Sequence, residues 1–271
     1  MVEMRKFAAR LDVFIASKAL KAVVLRRGPA KRVCTIGWDL TTDTFQLGQW
    51  LKGRIYEHCS DLSPNGKYFI YFALNARPQD GWCWTAVSRA PYLKAIALWD
   101  VKGGYEGGGL FRSTSTYWLN NPSTLRFESA EVRRDLHDPH DTLDNHWGAV
   151  YFRRLLREGW KMKEKRVVGR WREAVEFEKP VTDRLILRKV VHELGRPGKA
   201  TSSSDHELLN IETGEVLNLP NWDWADIDRH RLLWAEGGKL FAATIEKEEI
   251  GPSVVLYDFN DMVFEPIKAP Y

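Results

Sequence analysis

Apolar residues along this chain come in short runs, and polar turn formers separate them. The stretch at 61–72 shows it best: Asp61-Leu62, then Ser63-Pro64-Asn65-Gly66-Lys67, then Tyr68-Phe69-Ile70-Tyr71-Phe72. Short apolar runs bounded by Pro, Asn and Gly read as strands, because those residues supply or cap the backbone geometry of a tight turn. Similar pairs recur. Residues 36–40 lead through 41–44 into 45–47, and 95–101 lead through Gly103 and Gly104 toward 110–111. Residues 150–152 and 155–156 lead through Glu158-Gly159 into Trp160, 208–211 lead through 212–214 into 216–219, and 254–259 lead through 260–261 into 262–264. Inner-strand stretches lie at 13–25, 61–72, 117–127, 175–187 and 224–234. Helical spacing at 7–22 and 153–165 is weaker than the strand pattern over the same residues.

The unit recurs about every 45–60 residues, and repetition on that scale decides a fold. Five such units account for all 271 residues. The expectation is an all-β, five-bladed β-propeller of about four antiparallel strands per blade, in one domain spanning 1–271. A two-layer β-sandwich needs short strands without a fixed period, so the period favours the propeller. Trp38-Asp39, Trp99-Asp100 and Tyr257-Asp258 resemble the terminal dipeptide of WD-repeat blades. Ser63-Pro64-Asn65-Gly66-Lys67 resembles the turn of TolB-like blades. The resemblance covers nearly the whole chain as degenerate repeats, and it implies a scaffold rather than an activity.

Composition narrows this little. Hydrophobic content of 44% and charged content of 28% are those of a globular protein. Twelve tryptophans suit flat interfaces between stacked sheets, and they equally suit stacking on sugars or bases. Cys34, Cys59 and Cys83 lack zinc-site or disulfide spacing and read as buried thiols of a reducing compartment. Arg10, Asp12, Lys18 and Lys21 interrupt the first apolar stretch, so it does not read as a signal peptide. No run of about twenty apolar residues is present, so no membrane span is expected and the expected location is the cytoplasm.

Three segments and one scattered set of acids are candidates for chemistry. Residues 82–92 carry Trp82, Trp84, Arg89 and Tyr92. As a loop they would form an aromatic-arginine hot spot; as a strand, Trp82 and Trp84 share one face and pack between blades. Residues 135–146 carry His137, His140, Asp141 and His146, whose imidazoles and carboxylates are metal-ligand types. Their spacing matches no known ligand pattern, so a solvated loop is the favoured reading and neither metal nor cofactor is expected. Arg153, Arg154, Arg157, Lys161, Lys163, Lys165, Arg166, Arg170 and Arg172 form a basic run with Trp160 and Trp171 inside it. It could attract phosphates and stack bases. It equally suits an outer strand whose cations block edge-to-edge pairing, and that reading is favoured.

Acids form the last group: Asp12, Asp61, Glu176, Asp223, Asp226 and Asp228. Five-bladed glycoside hydrolases place such carboxylates around a central funnel. Here Asn120 and Asn121 stand where the third blade would need an acid, and aspartates capping turns explain the pattern better. No nucleophile elbow or Cys-His arrangement is visible. The expectation is therefore a non-catalytic interaction module that recognises a protein partner or ligand across one disc face. A glycan-acting hydrolase and a nucleic-acid or phosphate surface at 153–172 are the alternatives.

Overall fold

The computed structural model describes residues 8–28, 31–75, 83–101, 107–120, 124–137, 143, 148–167, 173–192, 203–247 and 249–271. These residues form an all-β chain of five sheets with one short helix. The chain divides into two compact units. The first comprises Met1–Phe7, Asp12–Arg154 and Met262–Tyr271; the second comprises Ala8–Leu11 and Leu155–Asp261.

The first sheet runs in sequence order through β1 (Arg10–Ile15), β2 (Lys21–Arg27), β3 (Arg32–Asp39) and β4 (Thr44–Lys52). The second takes β5 (Arg54–Leu62), β6 (Tyr68–Leu74), β7 (Cys83–Arg89) and β8 (Ala95–Asp100). A third, smaller sheet is built on β9 (Gly109–Phe111) and β10 (Thr116–Leu119). β11 (Leu125–Glu128) returns to the second sheet beside β8, and β12 (Arg133–Arg134) pairs with β10 in parallel.

Within the first unit these sheets pack by their apolar faces. Phe14, Val23, Leu25 and Val33 meet Ile55, Phe69, Tyr71 and Ala86, with the Phe14 and Phe69 rings 5.1 Å apart. On the opposite face of β6, Tyr68 and Ile70 pack with Phe111, Tyr117 and Leu119. Covered on both faces, β6 reads as a continuous apolar run rather than an alternation. The turn before it is held as its residues dictate. Asn65 Oδ1 accepts from Lys67 N at 3.1 Å, Tyr68 N donates to Ser63 Oγ at 2.9 Å, and Gly66 takes φ 71°.

After α1 (Ala149–Arg157), the fourth sheet is β13 (Lys161–Val167), β14 (Glu173–Pro180), β15 (Leu185–His192), β16 (Ser203–Asn210) and β17 (Val216–Leu219). The fifth is β18 (Trp222–Asp228), β19 (Arg231–Glu236), β20 (Lys239–Ile245) and β21 (Ile250–Asp258). Both are antiparallel meanders in the second unit. Within the fifth, the Trp222, Trp234 and Phe241 rings stack in a row, at 4.8 and 5.3 Å between neighbours.

Three expectations are corrected. The strand pair at 150–160 is a helix: Ala149, Phe152 and Leu155 are buried on one face, and Gly159 at φ 88° ends it. Trp160 N bonds Leu155 O and Gly159 N bonds Leu156 O, the pattern of a glycine-terminated helix. The pairing of 95–101 with 110–111 is replaced by β8 with β11, while β9 joins β10. Gly107, Gly108 and Gly109 carry the chain against Phe72, Cys59 and Trp118, where a Cβ would come within about 2 Å of them. That close passage takes the chain out of the second sheet. Finally, 262–264 are not a strand; the chain there returns to the first unit.

Candidate functional site

The ends of β2, β3 and β5 in the first unit carry basic residues, and the turns between them bring these together. β2 ends at Arg26 and Arg27, and Gly28 turns the chain at φ 108°. Lys31, at φ 58°, and Arg32 open β3. Gly53 then admits β5, starting at Arg54, against β6; a Cβ on Gly53 would sit 2.6 Å from Leu74 O, so only glycine fits. Gly28 N bonds Arg32 O at 3.0 Å and Gly53 N bonds Lys31 O at 2.9 Å, fixing the two turns to each other.

The result is a cleft of about 360 Å³, lined by Arg27, Lys31, Arg32 and Arg54 with Val33, Tyr56, Leu74 and Asn75. Its four cations are not equivalent. Arg27 is held, its Nη2 lying 3.2 Å from Asp12 Oδ2 and its Nη1 2.9 Å from Glu57 Oε2. Burial alone would raise the Glu57 carboxyl, but the charges of Arg27, His58 and Arg54 outweigh it and keep the group below its ordinary value. Lys31 and Arg32 are exposed at the mouth. Arg54 lies over Tyr56, its guanidinium carbon 4.4 Å from the ring centre. Its Nε and Nη2 are buried and have no hydrogen-bond acceptor. A guanidinium held over a ring, with two buried donors unpaired, would gain from the oxygens of an anion.

The residues singled out from sequence are distributed otherwise. Trp82, His140, Asp141, His146, Arg170 and Arg172 lie outside the described residues, as does the side chain of Arg166. The 83–89 segment is strand, and Trp84 packs half-buried against the first unit's core. Arg89 and Tyr92 do come together, but around Tyr271. The Arg89 guanidinium lies 4.5 Å from that ring and bonds Glu131 at 2.5 and 3.1 Å, and the Tyr92 ring meets Tyr271 edge-on at 6.2 Å. His137 is 85% exposed, with Nδ1 3.0 Å from Asp135 Oδ1 and its backbone carbonyl accepting from Arg112 Nη2 at 2.9 Å.

The basic run is divided between helix and strand and is not one exposed surface. Arg154 is 6% exposed, donating to Glu57 O and Ser60 O with its guanidinium over Phe14 and Tyr151. Buried carbonyls hold this charge, which corrects its reading as a surface cation. Arg153 donates to Ala149 O and Leu143 O and lies over Trp118. Arg157 lies 3.9 Å from Glu158 Oε1, Lys163 pairs with Glu178 at 3.3 Å, and Lys161 and Lys165 are exposed.

Each candidate acid holds a partner. Asp12 holds Arg27, Asp61 accepts from Phe111 N at 2.7 Å, and Glu176 holds Arg188. In the second unit Asp223 holds Arg10, Asp226 holds Lys179, and Asp228 holds Arg229 and Arg231. Among the described residues no group of three or more His, Cys, Asp or Glu is placed to hold a metal ion. Nor is any helix there long and apolar enough to cross a membrane.

The cleft residues escaped the sequence reading, although a signal existed. Arg26-Arg27, Lys31-Arg32 and Lys52-Gly53-Arg54 are short basic clusters, the first two on either side of the β2–β3 turn and the third at the β4–β5 junction. Each is unremarkable alone, and only the pairing of β2 with β3 and the placing of β5 beside them bring the clusters to one cleft.

No family model matches the chain, and no curated protein matches it. Among solved structures, one described in a structural and mechanistic study of two prolyl endopeptidases aligns over 90% of this chain, with 8% identity and a TM-score of 0.28. This chain spans 35% of that one. A likeness at that level carries no assignment.

Proposed function

We propose that the chain is a five-bladed β-propeller acting as a non-catalytic binding module, and that the cleft at Arg27, Lys31, Arg32 and Arg54 takes an anionic group of its partner or ligand. The propeller reading is supported by five sheets built mainly from consecutive antiparallel strands. Stacked aromatic faces within the first unit support it too. The single observation that carries the functional reading is the Arg54 guanidinium over Tyr56 with two buried donors lacking acceptors, set in a cleft whose Lys31 and Arg32 have no carboxylate within ion-pair distance among the described residues. Buried donors without acceptors cost stability, and a ligand oxygen would remove that cost.

The test is calorimetric titration of the whole chain with probes of one shape and different charge: benzoate, phenyl phosphate, benzyl alcohol and benzylamine. The anions bind, more weakly as salt is raised, and the neutral and cationic probes do not. Arg54→Ala abolishes the anion heats while leaving the circular dichroism spectrum unchanged. Equal binding of all four probes, or of none, sinks the reading.

A further inference from the structure

Which anion the cleft fits follows from its donor count and its charge. We infer that it is built for a phosphate monoester dianion carried on an apolar or flat group; this rests on the anion-binding reading above and narrows it. Arg54 Nε and Nη2 lie along one edge of the guanidinium plane, so their N–H bonds run nearly parallel and engage two oxygens of one group. A carboxylate uses both its oxygens there. A phosphate keeps a third peripheral oxygen, and Lys31 and Arg32 at the mouth are donors for it.

Charge points the same way. The two carboxylates at the cleft, Asp12 and Glu57, both sit on Arg27. No carboxylate lies within ion-pair distance of Lys31, Arg32 or Arg54 among the described residues. A monoanion would leave most of that positive charge uncompensated, and a dianion compensates more of it. Lysine meets phosphate as a point charge and arginine meets it as a fork, and the cleft offers both. The remaining wall is apolar at Val33, Leu74 and the Tyr56 ring, with Asn75 beside them. At about 360 Å³ the space lies in the range of small-molecule sites, roughly 300–1,000 Å³, and has room for a carrier beyond the phosphate.

The experiment titrates the full chain and its Arg54→Lys and Arg54→Ala variants with phenyl phosphate, benzoate and inorganic phosphate at pH 8 and pH 5. At pH 8, phenyl phosphate binds at least tenfold more tightly than benzoate. That advantage shrinks at pH 5, below the second phosphate pKa near 6, where the ester is a monoanion. Inorganic phosphate binds more weakly than phenyl phosphate because it leaves the apolar wall empty. Arg54→Lys keeps the charge and loses the fork, and its affinity for phenyl phosphate falls at least tenfold.

Equal affinity for benzoate and phenyl phosphate, lost together in Arg54→Ala, would overturn the phosphate assignment and leave the anion cleft standing. No heat from any anion overturns both. Phenyl phosphate binding that survives Arg54→Ala places the site elsewhere and overturns the assignment. A phosphotyrosyl pentapeptide in a final arm identifies the source. Tighter binding than phenyl phosphate puts the ester on a protein partner, equal or weaker binding puts it on a small molecule, and either result upholds the monoester.

Discussion

Arg188 and Arg54 are both arginines on sheet strands, and they are treated oppositely. Arg188 stands mid-strand in β15, directly across from Glu178 on β14 and Glu207 on β16. It meets Glu178 and Glu176 at 3.1 Å and Glu207 at 3.2 Å. Burial pulls its guanidinium down, but those three carboxylates outweigh burial and hold it above its ordinary value. Arg54 opens β5, and the residue across from it is Leu74. Nothing acidic is in register, and an aromatic ring rather than an acid positions the group. An arginine with acids on both neighbouring strands is a clasp of the sheet. An arginine positioned by an aromatic ring, with two buried donors unpaired, makes no such clasp, and the proposed anion would supply the missing acceptors. Arg27 shows that the difference is not simply location: it lines the same cleft as Arg54, yet Asp12 and Glu57 hold it in the manner of Arg188.

The largest effect tests the clasp. Glu57→Ala takes from Arg27 the nearer and more buried of its two carboxylates and leaves Asp12 at 3.2 Å, so the cost is about 3 kcal/mol, the low end for a buried ion pair broken from one side. A urea midpoint that barely moves would show that Arg27 is not held as described and would erase its contrast with Arg54. Arg188→Met is expected to cost about 1–3 kcal/mol, less because solvent reaches its partner Glu207, 22% exposed, better than it reaches Glu57, 4% exposed. Three carboxylates are left facing one another without their cation, and a urea midpoint that barely moves would contradict the clasp.

Acid itself provides the next test. Glu57 and Asp228 both sit below their ordinary values in the fold. Burial would raise Asp228, but hydrogen bonds and charge from Arg229 and Arg231 prevail. A depressed carboxylate stabilises the fold above its unfolded value, near 4. That contribution is lost as pH falls toward the folded value, because the unfolded chain then binds more protons. Stability measured by denaturation from pH 7 to pH 3 should therefore fall steeply below about pH 4.5. The slope should be shallower in Glu57→Gln and nearly unchanged in Arg54→Ala, since Arg54 is a minor influence on Glu57. An Arg54→Ala profile as flat as that of Glu57→Gln would place Arg54 among the clasps.

The same contrast explains what the sequence could reveal. Apolar runs and turn chemistry marked most strands, because burial and glycine conformations are local demands. Turn 63–67 is the clearest case, with Asn65 and Gly66 acting as their residue types require. The helix at 149–157 was hidden because Val150, Tyr151 and Phe152 are good strand formers. Its helical signal lies in the spacing of Ala149, Phe152 and Leu155 and in the Gly159 stop. The cleft was harder still. Arg26-Arg27, Lys31-Arg32 and Arg54 look like ordinary solvated charge in one dimension. Only register shows that Arg188 faces two acids while Arg54 faces a leucine. The denser basic run at 153–172 drew attention by count, yet Arg154 at its start is buried on backbone carbonyls. Density of charge along a chain is a poor guide to whether a charge is available.

Arg54→Ala removes no ion pair and no hydrogen bond, only a stacking contact and some buried stem, so it should cost less than about 1 kcal/mol while abolishing anion binding. A cost as large as that of Arg188→Met would mean that Arg54 is structural after all.

The smallest effect carries the opposite sign. Lys31 adopts φ 58°, a left-handed conformation that costs a side-chain-bearing residue about 1 kcal/mol and costs glycine almost nothing. Lys31→Gly should therefore stabilise the chain by about 0.5–1 kcal/mol, unless the extra freedom of glycine in the unfolded chain offsets the gain. It should also weaken phenyl phosphate binding severalfold and flatten its salt dependence, since one of the mouth cations is gone. That combination, a firmer fold with a poorer ligand site, is expected where a strained residue is kept for its charge. If the glycine variant is firmer and binds as before, Lys31 contributes nothing to recognition. The cleft's selectivity would then rest on Arg54 and Arg32 alone.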